Sequence, residues 1–168
     1  MQQLTGKTSS PSITALARLL GAHATLTREL SARLVETHGL TLSEYEVLLL
    51  LSRGPERSMR RVDLSREVRL SPSGITRMLD RLEATGLVEK GACEEDARVT
   101  YAVLTDAGMT KLRQSSGDHF AAVERLMGER LDDEEVASLS ELLGRLSDLA
   151  ECDAGVGVSR PAAARRTG

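Results

Sequence analysis

Aromatic side chains are almost missing from this chain: Tyr45, Tyr101 and Phe120 are all it has, and there is no tryptophan. Binding of single-stranded nucleic acid or RNA by base stacking needs aromatic platforms, so their scarcity argues against that class of function. A core has to come from Leu, Val and Ala instead, which favours helices. With 40% hydrophobic residues over 168 positions, one domain with some elaboration is expected. Two cysteines do not make a disulfide scaffold. No run approaches the roughly 18 apolar residues of a membrane span, and residues 1–12 have neither the charged nor the apolar region of a signal peptide, so a cytoplasmic protein is expected. Gly-rich phosphate loops, His-Glu-x-x-His and Cys-x-x-Cys are absent, and His23, His38 and His119 lack ligand spacing. No enzyme activity, metal or cofactor is therefore expected.

Basic charge is also in short supply, with a net charge of −3, which at first opposes DNA binding. Its distribution reverses that impression. Between Arg57 and Arg81 there are seven basic residues and three acidic ones, a local +4, leaving −7 for the remainder. Affinity for a polyanion is set by local phosphate contacts and not by total charge.

The most informative stretch is 70–108. Ser71 suits an N-cap and Pro72 the first helical position. Ile75, Met78, Leu79 and Leu82 then recur at i, i+3, i+4 and i+7, so the spacing predicts an amphipathic helix over 72–85, closed by Gly86. Its other face carries Ser73, Thr76, Arg77, Asp80 and Arg81. A solvated face is usually a Glu/Lys mixture; short hydroxyls and arginines instead allow close approach to a backbone and forked bonds to phosphate or guanine. Two short strands follow, 87–90 and 100–104, with the polar turn Glu94–Arg98 between them. Asp96 can pair with Arg98 and orient it, and an oriented Arg at a hairpin tip suits a narrow minor groove. Helix, turn and hairpin together make a winged helix-turn-helix spanning 41–105.

Long helices flank this unit. One is predicted from about Ser12 to His38, closed by Gly39, and an apolar second helix, EYEVLLLLSR, is opened by a Ser43-x-x-Glu46 capping box and ended by Gly54–Pro55. A third helix is expected over about 60–68. Beyond the wing, a helix runs from Thr105 to about Arg130, and a last one is opened by Asp132-x-x-Glu135. Val136, Leu139, Leu143, Leu146 and Ala150 alternate three and four apart along it, the seam of a helix that packs along a partner. Segments 12–40 and 106–152 therefore read as a dimerisation layer. Residues 1–11 and the Gly/Ala/Arg-rich 153–168 read as flexible ends. The fold class is mostly α with a small β-hairpin wing.

The run LSPSGITRMLDRLEATGLVEK, the wing pair Asp96-x-Arg98, Leu104–Thr105-x-x-Gly108 and the upstream Met59–Arg60-x-x-Asp63–Leu64 together resemble the MarR family of bacterial transcription regulators. The likeness covers roughly 12–150 and is strongest at 40–110. It departs at Ala97, where family members commonly carry Arg or Gly between the wing Asp and Arg. The resemblance implies a homodimer on a pseudo-palindromic double-stranded DNA operator, often a repressor released by a small aromatic or phenolic effector, with no membrane association. In that setting Ser71, Ser73, Thr76, Arg77 and Arg81 are candidates for groove and phosphate contacts, Arg98 for the minor groove with Asp96 orienting it, and Arg60 and Arg66 for phosphate clamps. Since the first helix of family members often lines an effector pocket, Arg18 and His23 are candidate effector contacts. Two other readings stay open: redox sensing through Cys93 beside the wing, and a protein-interaction winged helix that binds no DNA.

Overall fold

A computed structural model describes residues 10–92 and 100–153, with side chains described over 10–91 and 100–146. Its elements are helix α1 (Pro11–His38), α2 (Leu42–Arg53), strand β1 (Ser58–Arg60), α3 (Arg61–Glu67), α4 (Pro72–Ala84), β2 (Val88–Ala92), β3 (Thr100–Leu104), α5 (Asp106–Gly128) and α6 (Asp133–Asp153). The predicted mostly helical fold with a small wing is therefore present, and the strands form one antiparallel sheet ordered β1-β3-β2. Val88 pairs with Leu104 and Ala92 with Thr100 across the hairpin, while Ser58 pairs with Val103 and Arg60 with Tyr101 on the far edge of β3. β1 escaped the sequence reading, because three residues are too few to display a period of two.

The helix ends follow local chemistry. Gly39 takes a left-handed φ of 66° and closes α1, and Gly86 does the same after α4 at 71°. α2 opens two residues earlier than expected. Its capping box is Thr41 with Glu44, not Ser43 with Glu46: Thr41 Oγ1 accepts from the Glu44 amide at 3.2 Å and Glu44 Oε2 accepts from the Thr41 amide at 2.8 Å. Both pairs have the right spacing; Glu44 is buried, whereas Glu46 is in solvent. The expected box at the start of α6 is present, with reciprocal bonds between Asp132 and Glu135 at 2.9 and 3.0 Å.

The core gathers α2, α3, α4 and the sheet. Leu48, Leu51, Leu64, Ile75, Met78, Leu79, Leu82, Val88 and Leu104 are buried in one cluster, joined by Leu34 of α1 and Leu112 of α5. At the wing-to-α5 junction, Thr105 donates its hydroxyl to the Gly86 carbonyl at 2.7 Å and accepts from the Gly108 amide at 3.0 Å. A side chain on Gly108 would overlap the Leu87 carbonyl, so the Thr105-x-x-Gly108 pattern is a cap plus a close approach. The chain divides into two compact units between Leu126 and Met127. In the second, α6 keeps Val136, Leu139 and Leu143 half-buried and leaves Leu142 and Leu146 exposed. Among the described residues no helix is long and apolar enough to cross a membrane.

Candidate nucleic-acid interface

The turn between α3 and α4 sets how α4 is presented. Arg69 adopts a left-handed φ of 52°, and the Leu70 amide reaches back to the Ser65 carbonyl at 2.9 Å. Ser71 then caps α4, accepting from the Gly74 amide at 3.1 Å, with Pro72 at the first position. Ile75, Met78, Leu79 and Leu82 turn inward as expected, so Ser71, Ser73, Thr76, Arg77 and Arg81 are left exposed.

These outward residues fall into two groups. In the first half of the helix, Ser71 and Ser73 place their hydroxyls 3.2 Å apart. Thr76 donates its hydroxyl proton to the Pro72 carbonyl at 2.8 Å, leaving its oxygen as an acceptor on an exposed side chain. Arg77 makes no ion pair with any described residue. This half can donate to phosphate, accept from a base amino group and touch a thymine methyl. The second half is committed internally. Arg81 directs Nε and Nη2 onto Glu44 Oε1 at 3.1 and 2.9 Å. Arg61 Nη2 stands 3.6 Å from both Asp80 and Glu83, and Lys90 of β2 binds Glu83 at 2.9 Å. Sequence reasoning missed Glu44 and the Arg61–Lys90 cluster. Thr41-x-x-Glu44 was visible as a capping signature, but nothing in spacing joins Glu44 to Arg81, 37 residues away.

The flanking candidates separate similarly. Arg60 lies on the edge strand β1, its Nε donating to the Tyr101 hydroxyl at 3.2 Å and its guanidinium 5.9 Å from the ring centroid. Arg66 is exposed and only loosely paired with Asp63, at 3.6 Å. Asp96, Arg98 and Cys93 lie outside the described residues. Arg18 and His23 are exposed on the first half of α1. They do not line the cavity of about 300 Å³ that opens further along that helix, where Arg33, Leu34 and Thr37 face Asp118, His119 and Arg125 of α5. Beside it His38 Nε2 bonds Asp118 at 2.8 Å. His119 packs on Tyr45 with ring centroids 4.5 Å apart, its Nδ1 without a hydrogen-bond partner, and burial pushes its pKa below 6.5. Among the described residues there is no group of His, Cys, Asp or Glu that could hold a metal.

A capped helix with an exposed Ser/Thr/Arg half, set by a tight turn against a preceding helix and backed by a three-stranded sheet, defines a winged helix-turn-helix protein. The MarR family model matches residues 38–99. The HTH-type transcriptional regulator MhqR of Bacillus subtilis is 30% identical over 112 residues, covering 67% of this chain and 75% of that protein. The HTH-type transcriptional repressor MdtR of the same organism is 28% identical over 119 residues, covering 71% of this chain and 75% of its own length. Among solved structures, Sco3205, a MarR family transcriptional regulator from Streptomyces coelicolor in complex with DNA, matches with a TM-score of 0.77 and 26% identity, over 87% of this chain and 92% of that one. The chain belongs to the MarR family of transcriptional regulators, and its relatives are regulators, not enzymes.

Proposed function

We propose that this protein binds duplex DNA as a homodimer at a pseudo-palindromic operator and acts as a repressor that a small aromatic or phenolic ligand releases. The observation that carries the DNA reading is the first half of α4. Ser71, Ser73, Thr76 and Arg77 are exposed beside one another on a helix whose opposite face is buried, and the N-terminal residues of a recognition helix are those that reach base edges. Arg60 and Arg66 supply phosphate contacts from β1 and α3, and Arg98, with Asp96, supplies the minor-groove contact. Similarity to a regulator solved with DNA and to a protein named as a repressor supports the reading. Dimerisation is supported by apolar residues that each compact unit leaves in solvent: Ile13, Leu16, Leu20 and Phe120 in the first, Leu142 and Leu146 in the second.

The ligand reading rests on the α1–α5 cavity. Its volume suits a single aromatic ring, Leu34 supplies an apolar wall, and Arg33 and Arg125 suit a carboxylate or phenolate. Arg18 and His23 do not line this cavity.

A titration of the full chain with a random-sequence duplex at several salt concentrations tests the DNA reading. Affinity is expected to fall steeply and linearly in logarithmic salt, as phosphate contacts release counterions. Salt-independent binding, or none, would leave the protein-interaction winged helix. Light scattering is expected to give twice the chain mass. Millimolar 2-hydroxybenzoate is expected to lower duplex affinity in the parent and not in Arg33→Ala/Arg125→Ala; an equal response in both would remove the cavity from the account.

A further inference from the structure

Arg81 has the residue type and helical face of a DNA contact, yet its bonds point the other way. Glu44 is 7% exposed, and its carboxylate is fully used. Oε2 accepts from the amide and hydroxyl of Thr41 at 2.8 and 2.9 Å, and Oε1 accepts both bonds of the Arg81 fork. Drawing Arg81 away to a phosphate would leave Oε1 of a nearly buried carboxylate bare, which is the expensive way to break an ion pair. Arg66 is the contrast: its 3.6 Å pair with Asp63 is exposed on both sides and is exchanged at little cost.

The neighbouring residues of α4 meet a second, looser partner set. Asp80 and Glu83 meet Arg61, from the start of α3, and Lys90, from β2. Arg61 and Glu83 are only 21% and 18% exposed in their side chains. The second half of α4 is thus hydrogen-bonded to α2 through Arg81 and paired with the wing strand through Glu83 and Lys90, while Arg61 of α3 stands 3.6 Å from Asp80 and Glu83 without a hydrogen bond. The apolar stripe decides which face of α4 turns inward, but apolar contacts are non-directional and leave the tilt of the helix soft. Forked, charge-assisted hydrogen bonds have a fixed geometry.

We propose that Arg81 is a positioning residue and not a DNA contact: through Glu44 it fixes α4 on α2, and so sets the angle at which Ser71, Ser73, Thr76 and Arg77 meet the duplex. This rests on the DNA-binding reading above. A base-reading helix tilted by a lost clamp loses specific contacts while its phosphate contacts, which lie on other residues, persist.

The test uses the full chain, a duplex recovered from a random library by selection with the parent protein, and a random duplex as reference. Arg81→Gln is expected to weaken the selected duplex by about tenfold, the cost of one lost base contact, and the random duplex much less. The slope of log affinity against log salt is expected to stay unchanged. Glu44→Gln, which removes no positive charge, is expected to reproduce that loss, and Arg81→Lys to share it, because an ammonium keeps the charge but not the fork. A loss of folded protein alone would lower both affinities in the same ratio and would count against positioning. If Arg81 touches phosphate, Arg81→Gln lowers the salt slope by about one, Arg81→Lys retains affinity, and Glu44→Gln binds as well as the parent or better; that pattern overturns the proposal. Should Glu44→Gln fail to fold, the salt slope and the specific-to-random ratio of Arg81→Gln decide alone, since α2 keeps its cap in that variant. A parent that bound neither duplex would instead remove the DNA-binding reading itself.

Discussion

Replacing Gly108 with alanine puts the wing-to-α5 junction under a defined load. The added methyl would overlap the backbone carbonyl of Leu87 and come within 2.6 Å of Leu104 Cδ1. The leucine tip can turn, but the carbonyl cannot: it accepts from the Thr105 amide at 3.2 Å, and Leu87 leads directly into β2. Overpacking of this kind costs about 1–3 kcal/mol or somewhat more, and losing the Thr105 bond adds about 1 kcal/mol. Alanine returns up to about 1 kcal/mol of helix propensity. The last two roughly cancel, so the net is about 1–3 kcal/mol, which for a chain of this length lowers the melting temperature by about 2–12 °C. Circular dichroism at 222 nm reads it. Gly117→Ala is the control, on the same helix with nothing within 4 Å of the new methyl, and is expected to leave the melt unchanged or raise it slightly. Equal melts for Gly108→Ala and the parent would refute the claim that this glycine answers to the Leu87 carbonyl.

Other outcomes follow from the same geometry. Arg77→Ala is expected to weaken duplex binding about tenfold and to reduce the salt slope by about one, read by fluorescence anisotropy with the melt unchanged; an unaltered slope would take Arg77 off the phosphate backbone. His119 has its folded pKa pushed below the unfolded 6.5 by burial. The unfolded chain therefore binds more protons in that window, and stability is full above about pH 6.5 and declines as pH falls below it. His119→Phe is expected to remove that decline, so its melting temperature gains on the parent between pH 7.5 and 5.5; parallel curves would contradict it. Replacing the exposed Leu142 and Leu146 with glutamate is expected to yield monomers by light scattering, and a variant that stays dimeric would move the dimer contact off this face of α6.

Much of the fold was legible because its signals are local. The i, i+3, i+4, i+7 spacing of Ile75, Met78, Leu79 and Leu82 allows one inward face, and Ser71, Pro72 and Gly86 fix both ends of α4 within a residue or two. The α2 start is ambiguous in sequence because Thr41–Glu44 and Ser43–Glu46 are equally good capping pairs, and it is Glu44 that also meets a partner across the fold, Arg81. Of the candidate site, the exposed group Ser71, Ser73, Thr76 and Arg77 could be read from periodicity alone. The pairing of Arg81 with Glu44, and of Lys90 with Glu83, could not, since side-chain reach across the fold leaves no trace in spacing. Arg18 and His23 stand out as polar residues on a Leu/Ala helix, on the half of α1 that a single chain leaves exposed. The cavity lies beside Arg33 and Thr37, where α5 provides a second wall.

The central claim is that this chain reads double-stranded DNA as a symmetric pair of winged helices. Selection from a random duplex library with the full chain tests it most directly. Two α4 helices related by a two-fold axis are expected to enrich an inverted repeat whose half-sites are centred about one helical turn apart. Failure to enrich any sequence, or enrichment of a single unrepeated site, would contradict it.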